Sequence, residues 1–481
     1  MRDARTGAGR APVQRFPKER SPMLTQTLAA HILDTPFDRF SPQDIESARL
    51  RLIDMLGCII GGARAPGTAA LVDLISGWGG VGQAGVPGQV VRLPVHTAAF
   101  LSSLLGRAFD FEVTGPEAEG IHAGKMVGHV PSTTEPAALA LAETTRASGR
   151  DLLAAVILGG DVAARFAVAN TFDFDRNFEV CGTANAFGAL AVAARLMRLD
   201  QAQTRNAFGV LLHMVGGSFQ SLWDGVDAFR LPGALAAQNG ILAAQMSRAG
   251  FGGVREALTA PQGYFALFGN DPHPEHLLTD LGEVFYVKGM HKLHPSCYGN
   301  HNPIDSALEI VRQRDFDAGQ IAAVTLEVPA RRLRHFLNQP MRATDAQPRA
   351  LFSIPYGVAN ALSRKSVALE HYIHPAIHDP TVMALSEKVT LVASDRVSGT
   401  HQGLLSVTLT SGEILLAERS MPKGWAENPV GRAEVEAKYW RNIAFAGTIT
   451  DAAAARALSM IDRLETLEDT GELMACLTPT P

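Results

Sequence analysis

Asp151 opens a segment carrying Leu153, Val156, Ile157 and Ala164, and segments 183–199 and 234–249 read the same way. They are so rich in Ala, Gly and Leu that a helix drawn through them has almost no polar face. A helix apolar on most sides must be surrounded by other helices. The chain therefore has to build a large all-helical core. Its 481 residues allow for that core and one further unit.

Helical spacing dominates from Met23 to about residue 288. Ser41, Pro42, Gln43 and Asp44 form a helix start: Ser caps, Pro suits the first turn and Asp meets the positive helix end. Ile45, Ala48, Leu52, Ile53, Leu56, Ile59 and Ile60 follow, and Gly61 and Gly62 end the run. Segment 201–215 is also read as helix. The pattern changes after Lys288. Segments 323–328 and 388–392 read as strands, and 404–409 and 414–417 as a hairpin turning at Ser411 and Gly412. Helices return in 433–444 and 452–467. The predicted fold is mainly α: a large all-helical domain from residues 23–288 and 423–477, with an inserted α+β lid domain at 289–422. Residues 1–22, with six basic and two acidic side chains and no apolar run, are expected to be a disordered tail.

Lys plus Arg number 43 against 48 Asp plus Glu, which argues against a nucleic-acid partner. No uninterrupted apolar run of about 18 residues is present, so no membrane partner is expected. Cys58, Cys181, Cys297 and Cys476 form no close pair, which fits a reducing, cytoplasmic setting.

Three segments combine polar groups with turn residues in apolar surroundings. In the first, Asp110 lies between Phe109 and Phe111, and burial there is expected to raise its pKa. His129, before Val130, Pro131 and Ser132, sits where a helix can begin and face an anion. The second packs His291, Lys292, His294, Cys297 and His301 into eleven residues. Pro295 and Gly299 interrupt any helix that would align metal ligands, so a polar loop at a pocket mouth is the better reading, with Lys292 meeting a carboxylate. In the third, Tyr356 stands at a helix start, as a site hydroxyl or a core tyrosine. The chain has no P-loop, no HExxH, no dinucleotide fingerprint after a strand and no GxSxG elbow.

Together these segments resemble the MmgE/PrpD family, which includes 2-methylcitrate dehydratases, cis-aconitate decarboxylases and iminodisuccinate epimerases. The marks are Asp54 to Cys58, Phe109 to Thr114, His129 with Pro131 and Ser132, Gly182 to Ala189, His294 to Tyr298, and Phe352 to Leu362. The resemblance implies a homodimeric enzyme, with no metal or other cofactor, acting on a small carboxylate. It implies catalytic roles for Asp110, His129, Lys292 and Tyr356, and a substrate contact for Thr114.

Other positions depart from the family pattern. Glu179 stands where a histidine is usual, Phe229 where a lysine is usual and Pro232 where a second histidine is usual, while Arg230 keeps a neighbouring cation. Cys297 replaces a lid histidine of the decarboxylases, with His301 following in the same loop. The stretch between Asp110 and His129 is longer than usual and adds His122 and Lys125, either of which could restore a lost cation. Losing cations and gaining a carboxylate leaves a tricarboxylate poorly neutralised. The expected activity is a lyase of the 2-methylcitrate dehydratase type with an altered substrate. Alternatives are an epimerase that removes and returns a proton, and a catalytically impaired small-acid binder; a metal hydrolase using the 291–301 run stands further off.

Overall fold

The computed structural model describes residues 21–123, 125, 127–170, 178–397, 402–425 and 427–479. The expected disordered tail lies outside them except for its last two residues, which begin helix Ser21–Asp34. Eighteen α-helices and two small sheets make up the described residues, so the protein is mainly α.

The predicted helix start at Ser41 forms. Ser41 Oγ accepts from the Asp44 N–H at 3.1 Å, and Asp44 accepts in return from the Ser41 N–H at 2.9 Å, which closes both ends of a capping box on helix Pro42–Gly61. Helices Gly149–Ala169, Ala184–Leu196 and Leu231–Arg248 pack side by side in the core. Glycine permits the closest approach: a Cβ at Gly188 would come 2.5 Å from the Gly159 carbonyl oxygen of the facing helix. Helix Gly149–Ala169 is long and apolar enough to cross a membrane, and it is wholly enclosed by protein. Its Asp161 pairs with Arg165 at 2.9 Å and with His31 at 3.0 Å, so its charges are satisfied inside the core.

The first hydrophobic core draws on residues 24–287 and again on 435–477. A second core is built mainly from residues 304–417. It surrounds a four-stranded sheet in the order Val389–Ala393, Ile321–Val328, Gly403–Leu409, Ile414–Arg419, the first pair parallel and the others antiparallel. The predicted hairpin turns at Gly412, whose φ of +88° a β-carbon would disfavour. Helices His301–Gln313 and Ile354–Arg364 pack against each other and against this sheet. Ala108, Phe109 and Phe111, from the first part of the chain, are buried in the second core. Their loop is therefore wedged where the two cores meet.

Candidate active site

Two isolated bridges hold the wedged loop. Thr114 pairs antiparallel with Met290, and Gly115 pairs parallel with His129. The first pairing carries the chain from Met290 to Lys292 as it runs back from Thr114 toward Asp110. The second sets His129 alongside, two residues ahead of helix Pro131–Thr145. Gly128, at φ +101°, allows this approach; a Cβ there would meet Val180 Cγ1 at 2.7 Å. Asp110 adopts the left-handed backbone at φ +46°, a strained choice for a non-glycine residue.

The result is a buried ionic cluster. Lys292 Nζ donates to Asp110 Oδ2 at 2.8 Å and to the Asp110 carbonyl at 2.5 Å. Arg107 Nη1 donates to Glu112 Oε1 at 2.7 Å, and its Nη2 stands 3.4 Å from Asp110 Oδ1. His129 Nδ1 lies 2.6 Å from Glu112 Oε1, while Nε2 points toward Asp110 Oδ1 at 3.9 Å. The His129 side chain is 20% exposed, whereas Asp110, Glu112 and Lys292 are fully enclosed. His129 is thus the group of this cluster that a ligand can reach.

The expectation for Asp110 is corrected. Burial does push its carboxyl up, but Lys292, His129 and Arg107 outweigh burial and hold it below the usual range. It is an ionised anchor rather than a proton carrier. Glu112 behaves alike: burial opposes its charge, yet Arg107 and His129 bring it down to about 2. His129 is held below its ordinary value by burial and by Arg107 and Lys292, against the pull of Glu112 and Asp110. A neutral ring that donates Nδ1–H to Glu112 leaves its Nε2 lone pair free.

A second buried network supports the first. Asp54 accepts from Lys438 Nζ at 2.9 and 2.7 Å, from the Val113 N–H at 2.9 Å, and faces His291 Nδ1 at 2.9 Å. Lys438 also donates to the Phe111 carbonyl at 2.5 Å. The backbone on either side of Glu112 is thereby tied to helices Pro42–Gly61 and Arg432–Ala446.

Some expected residues join this centre and others do not. Thr114 is buried at its edge, with Oγ1 donating to the Met290 carbonyl at 3.3 Å. Glu179 is buried within the field of Arg107, faced by the Cys181 thiol; Oε2 has no hydrogen-bond partner among the described residues, and burial raises its pKa. Arg230 pairs with Asp227 and also feels Arg107. Cys297 lies within the field of Asp110 and Lys292, and burial lifts its thiol to about 11. His301 stacks on Tyr298 at 4.9 Å and is held neutral, first by burial and then by His294 and Lys292. The 291–301 run is buried rather than a loop at a pocket mouth: His291, Lys292, His294, Ser296, Asn300 and His301 are all enclosed. Tyr356 donates its hydroxyl to the His371 carbonyl at 2.7 Å and packs edge-on to Tyr372, among second-core residues. His122 packs at a tilt against His276, ring centres 4.4 Å apart, and, with Lys125, stands apart from the Asp110 cluster.

Arg107, Glu112, Asp54, Lys438 and Cys181 were not expected as site residues, although Asp54 and Glu112 lie within the stretches that carry the family resemblance. For Glu112 a signal existed: Asp110, Glu112 and Thr114 alternate with Phe109, Phe111 and Val113. Such alternation along an extended strand sends the polar set to one side.

Ligand atoms of Asp110, Glu112 and His129 lie within 4.8 Å of one another, a set that could hold a metal ion. Arg107 and Lys292 already neutralise both carboxylates, so a dication there would face two fixed cations. The arrangement is better matched to proton transfer beside an organic anion.

Family comparison decides the broader identity. The MmgE/PrpD N-terminal domain matches residues 26–277 and the MmgE/PrpD C-terminal domain matches residues 294–466. The chain belongs to the MmgE/PrpD family. Lys292 lies in the short stretch between the two matches. Among curated MmgE/PrpD-like relatives, the cis-aconitate decarboxylase-like protein oryM of Aspergillus oryzae is 25% identical over 470 residues, covering 91% of this chain and 94% of that protein. The cis-aconitate decarboxylase of Homo sapiens is 21% identical over 482 residues, covering 95% of each. A family-level, lyase-like function follows.

Proposed function

We propose that this protein is a lyase that removes a proton from the carbon next to a carboxylate of a small organic acid and expels water from the neighbouring carbon. The observation that carries this reading is the 2.6 Å contact between His129 Nδ1 and Glu112 Oε1, which leaves the Nε2 lone pair of this part-exposed ring for a ligand. Nε2 takes the proton, and the pair of electrons left by the C–H bond forms a C=C bond as the C–O bond breaks. The leaving hydroxide collects a proton and departs as water. Glu112 stays ionised and stabilises the imidazolium. Lys292 has one N–H left after its two bonds to Asp110, and with Arg107 it supplies the positive field for the substrate carboxylate. Glu179, whose pKa is raised, is suited to hold the proton that the leaving group collects.

The cations Arg107, Lys292 and Arg230 are each faced by a carboxylate, Glu112, Asp110 and Asp227. The site has little spare positive charge, which favours a mono- or dicarboxylate over a tricarboxylate. The second-core unit, residues 289–422, acts in this reading as the lid that brings Lys292 to the body. A homodimer is the proposed assembly; exposed Leu231 and Leu235, four residues apart on one helix, offer an apolar contact face. The four unpaired cysteines support a cytoplasmic setting.

A second reading, loss of CO2 from the same carbon followed by protonation, draws support from the names of the two relatives. Incubation with a panel of small hydroxy- and unsaturated acids in D2O, followed by NMR, separates the outcomes. Alkene formation with water loss is expected. CO2 release supports the second reading, exchange without water loss makes the protein an epimerase, and binding without exchange makes it a non-catalytic acid binder.

A further inference from the structure

Away from the Asp110 cluster, three histidines gather beneath and at the surface. His122 belongs to the short 3-10 turn Gly120–His122, in the stretch that makes the Asp110–His129 connection long. His276 belongs to the turn Pro274–Leu278, with His273 just before it. The His122 and His276 rings are 4.4 Å apart, and His273 stacks on His276 at 5.0 Å. Glu275 completes the group, 3.2 Å from His273 Nδ1. Nothing in the proposed lyase chemistry uses these residues.

We propose that His122, His273, Glu275 and His276 form a binding site for a divalent d-block cation of the zinc type. Ligand atoms of His273, Glu275 and His276 already lie within 4.8 Å of one another. Two buried nitrogens have no partner among the described residues: His122 Nε2, in a residue only 2% exposed, and His276 Nδ1. A buried imidazole nitrogen normally finds a partner, so these two are available to a ligand. Three imidazoles and a carboxylate suit zinc in chemistry and number. Tetrahedral zinc with bonds of about 2.0–2.1 Å needs ligand atoms roughly 3.3–3.5 Å apart. The part-exposed His273, Glu275 and His276 side chains can close that gap by rotation. Lys125 lies near His122 and His276 as an exposed cation. It has to swing aside, so its removal should tighten binding. The bound ion would fasten the Gly120–His122 turn to the 273–276 stretch.

The test is calorimetric titration of Zn2+ into tag-free, chelator-stripped protein. One equivalent is expected to bind, with His122→Ala and His276→Ala each weakening it at least about tenfold, because each removes a ligand. The exposed His213→Ala is the control and should leave binding unchanged. Co2+ should give tetrahedral absorption bands that His276→Ala abolishes, and circular dichroism confirms that each variant is folded; His276→Gln replaces His276→Ala if the latter unfolds. Absence of a stoichiometric site, or binding that survives the His122→Ala/His276→Ala double variant, overturns the proposal. Neither result bears on the lyase reading, which is judged by turnover in D2O.

Discussion

Lys292 Nζ grips Asp110 twice, at the side-chain oxygen and at the residue's own carbonyl, and both residues are sealed from solvent. The pair fixes a left-handed backbone turn that the chain would otherwise avoid. Lys292→Met should lower stability by about 3–5 kcal/mol, since it leaves a buried carboxylate without its cation. Lys292→Met combined with Asp110→Asn should recover much of that loss. Urea denaturation of the three variants measures the coupling; additive losses would mean the pair does not act as a unit.

Glu112→Gln should cut turnover by about 10²- to 10⁴-fold, through loss of the group that orients and steadies His129. It should also change the acid limb of stability. The folded pKa of Glu112 is about 2, below its ordinary 4.5, so its contribution is complete above 4.5 and fades as pH falls from there toward 2. Thermal melts between those limits should show a flatter pH dependence in the variant than in wild type.

Glu179 has the opposite sign. Burial raises its folded pKa above the ordinary value of 4.5, so its contribution is favourable below that value and is lost as pH rises through the folded pKa. Glu179→Gln should therefore leave stability nearly unchanged in acid and raise it relative to wild type as pH climbs through the folded pKa, where the wild-type carboxyl has to give up its proton in a buried place. Differential scanning calorimetry on both sides of that range checks the sign.

Tyr356→Phe separates the structure from the family resemblance. With its hydroxyl committed to the His371 carbonyl, loss of the hydroxyl should cost about 1 kcal/mol of stability and leave turnover within a few-fold of wild type. A large fall in turnover at unchanged stability would put the hydroxyl in the reaction.

Local chemistry carried well from sequence to structure. The capping box at Ser41, the Gly412 hairpin and the apolar helices all depend on neighbours a few residues away, and each formed where its pattern lay. Boundaries moved by a few residues, as at helix Leu231–Arg248, which begins three positions before the predicted start because Pro232 suits its first turn. In the candidate site, His129 and Lys292 were legible as polar residues at turns. Their real partners were not. Arg107 and Glu112 each read as one charged residue among many until the loop's two bridges turned them inward. Asp110 could not show that Lys292, 182 residues away, would reverse the effect of burial on its proton. Lys438 is further still from its partner and sits in a helix whose local pattern gives no hint of a buried ammonium.

That last separation has a consequence for synthesis. Asp54 and Lys438 are 384 positions apart, yet together they secure the backbone on both sides of Glu112. A nascent chain leaving the ribosome can assemble most of its helices early, but the segment bearing Asp110 and Glu112 lacks its tie to Lys438 until the final tenth of the polypeptide emerges. The finished arrangement around Glu112 is therefore among the last the newborn molecule acquires, and a prematurely terminated translation product would hold its helices without it.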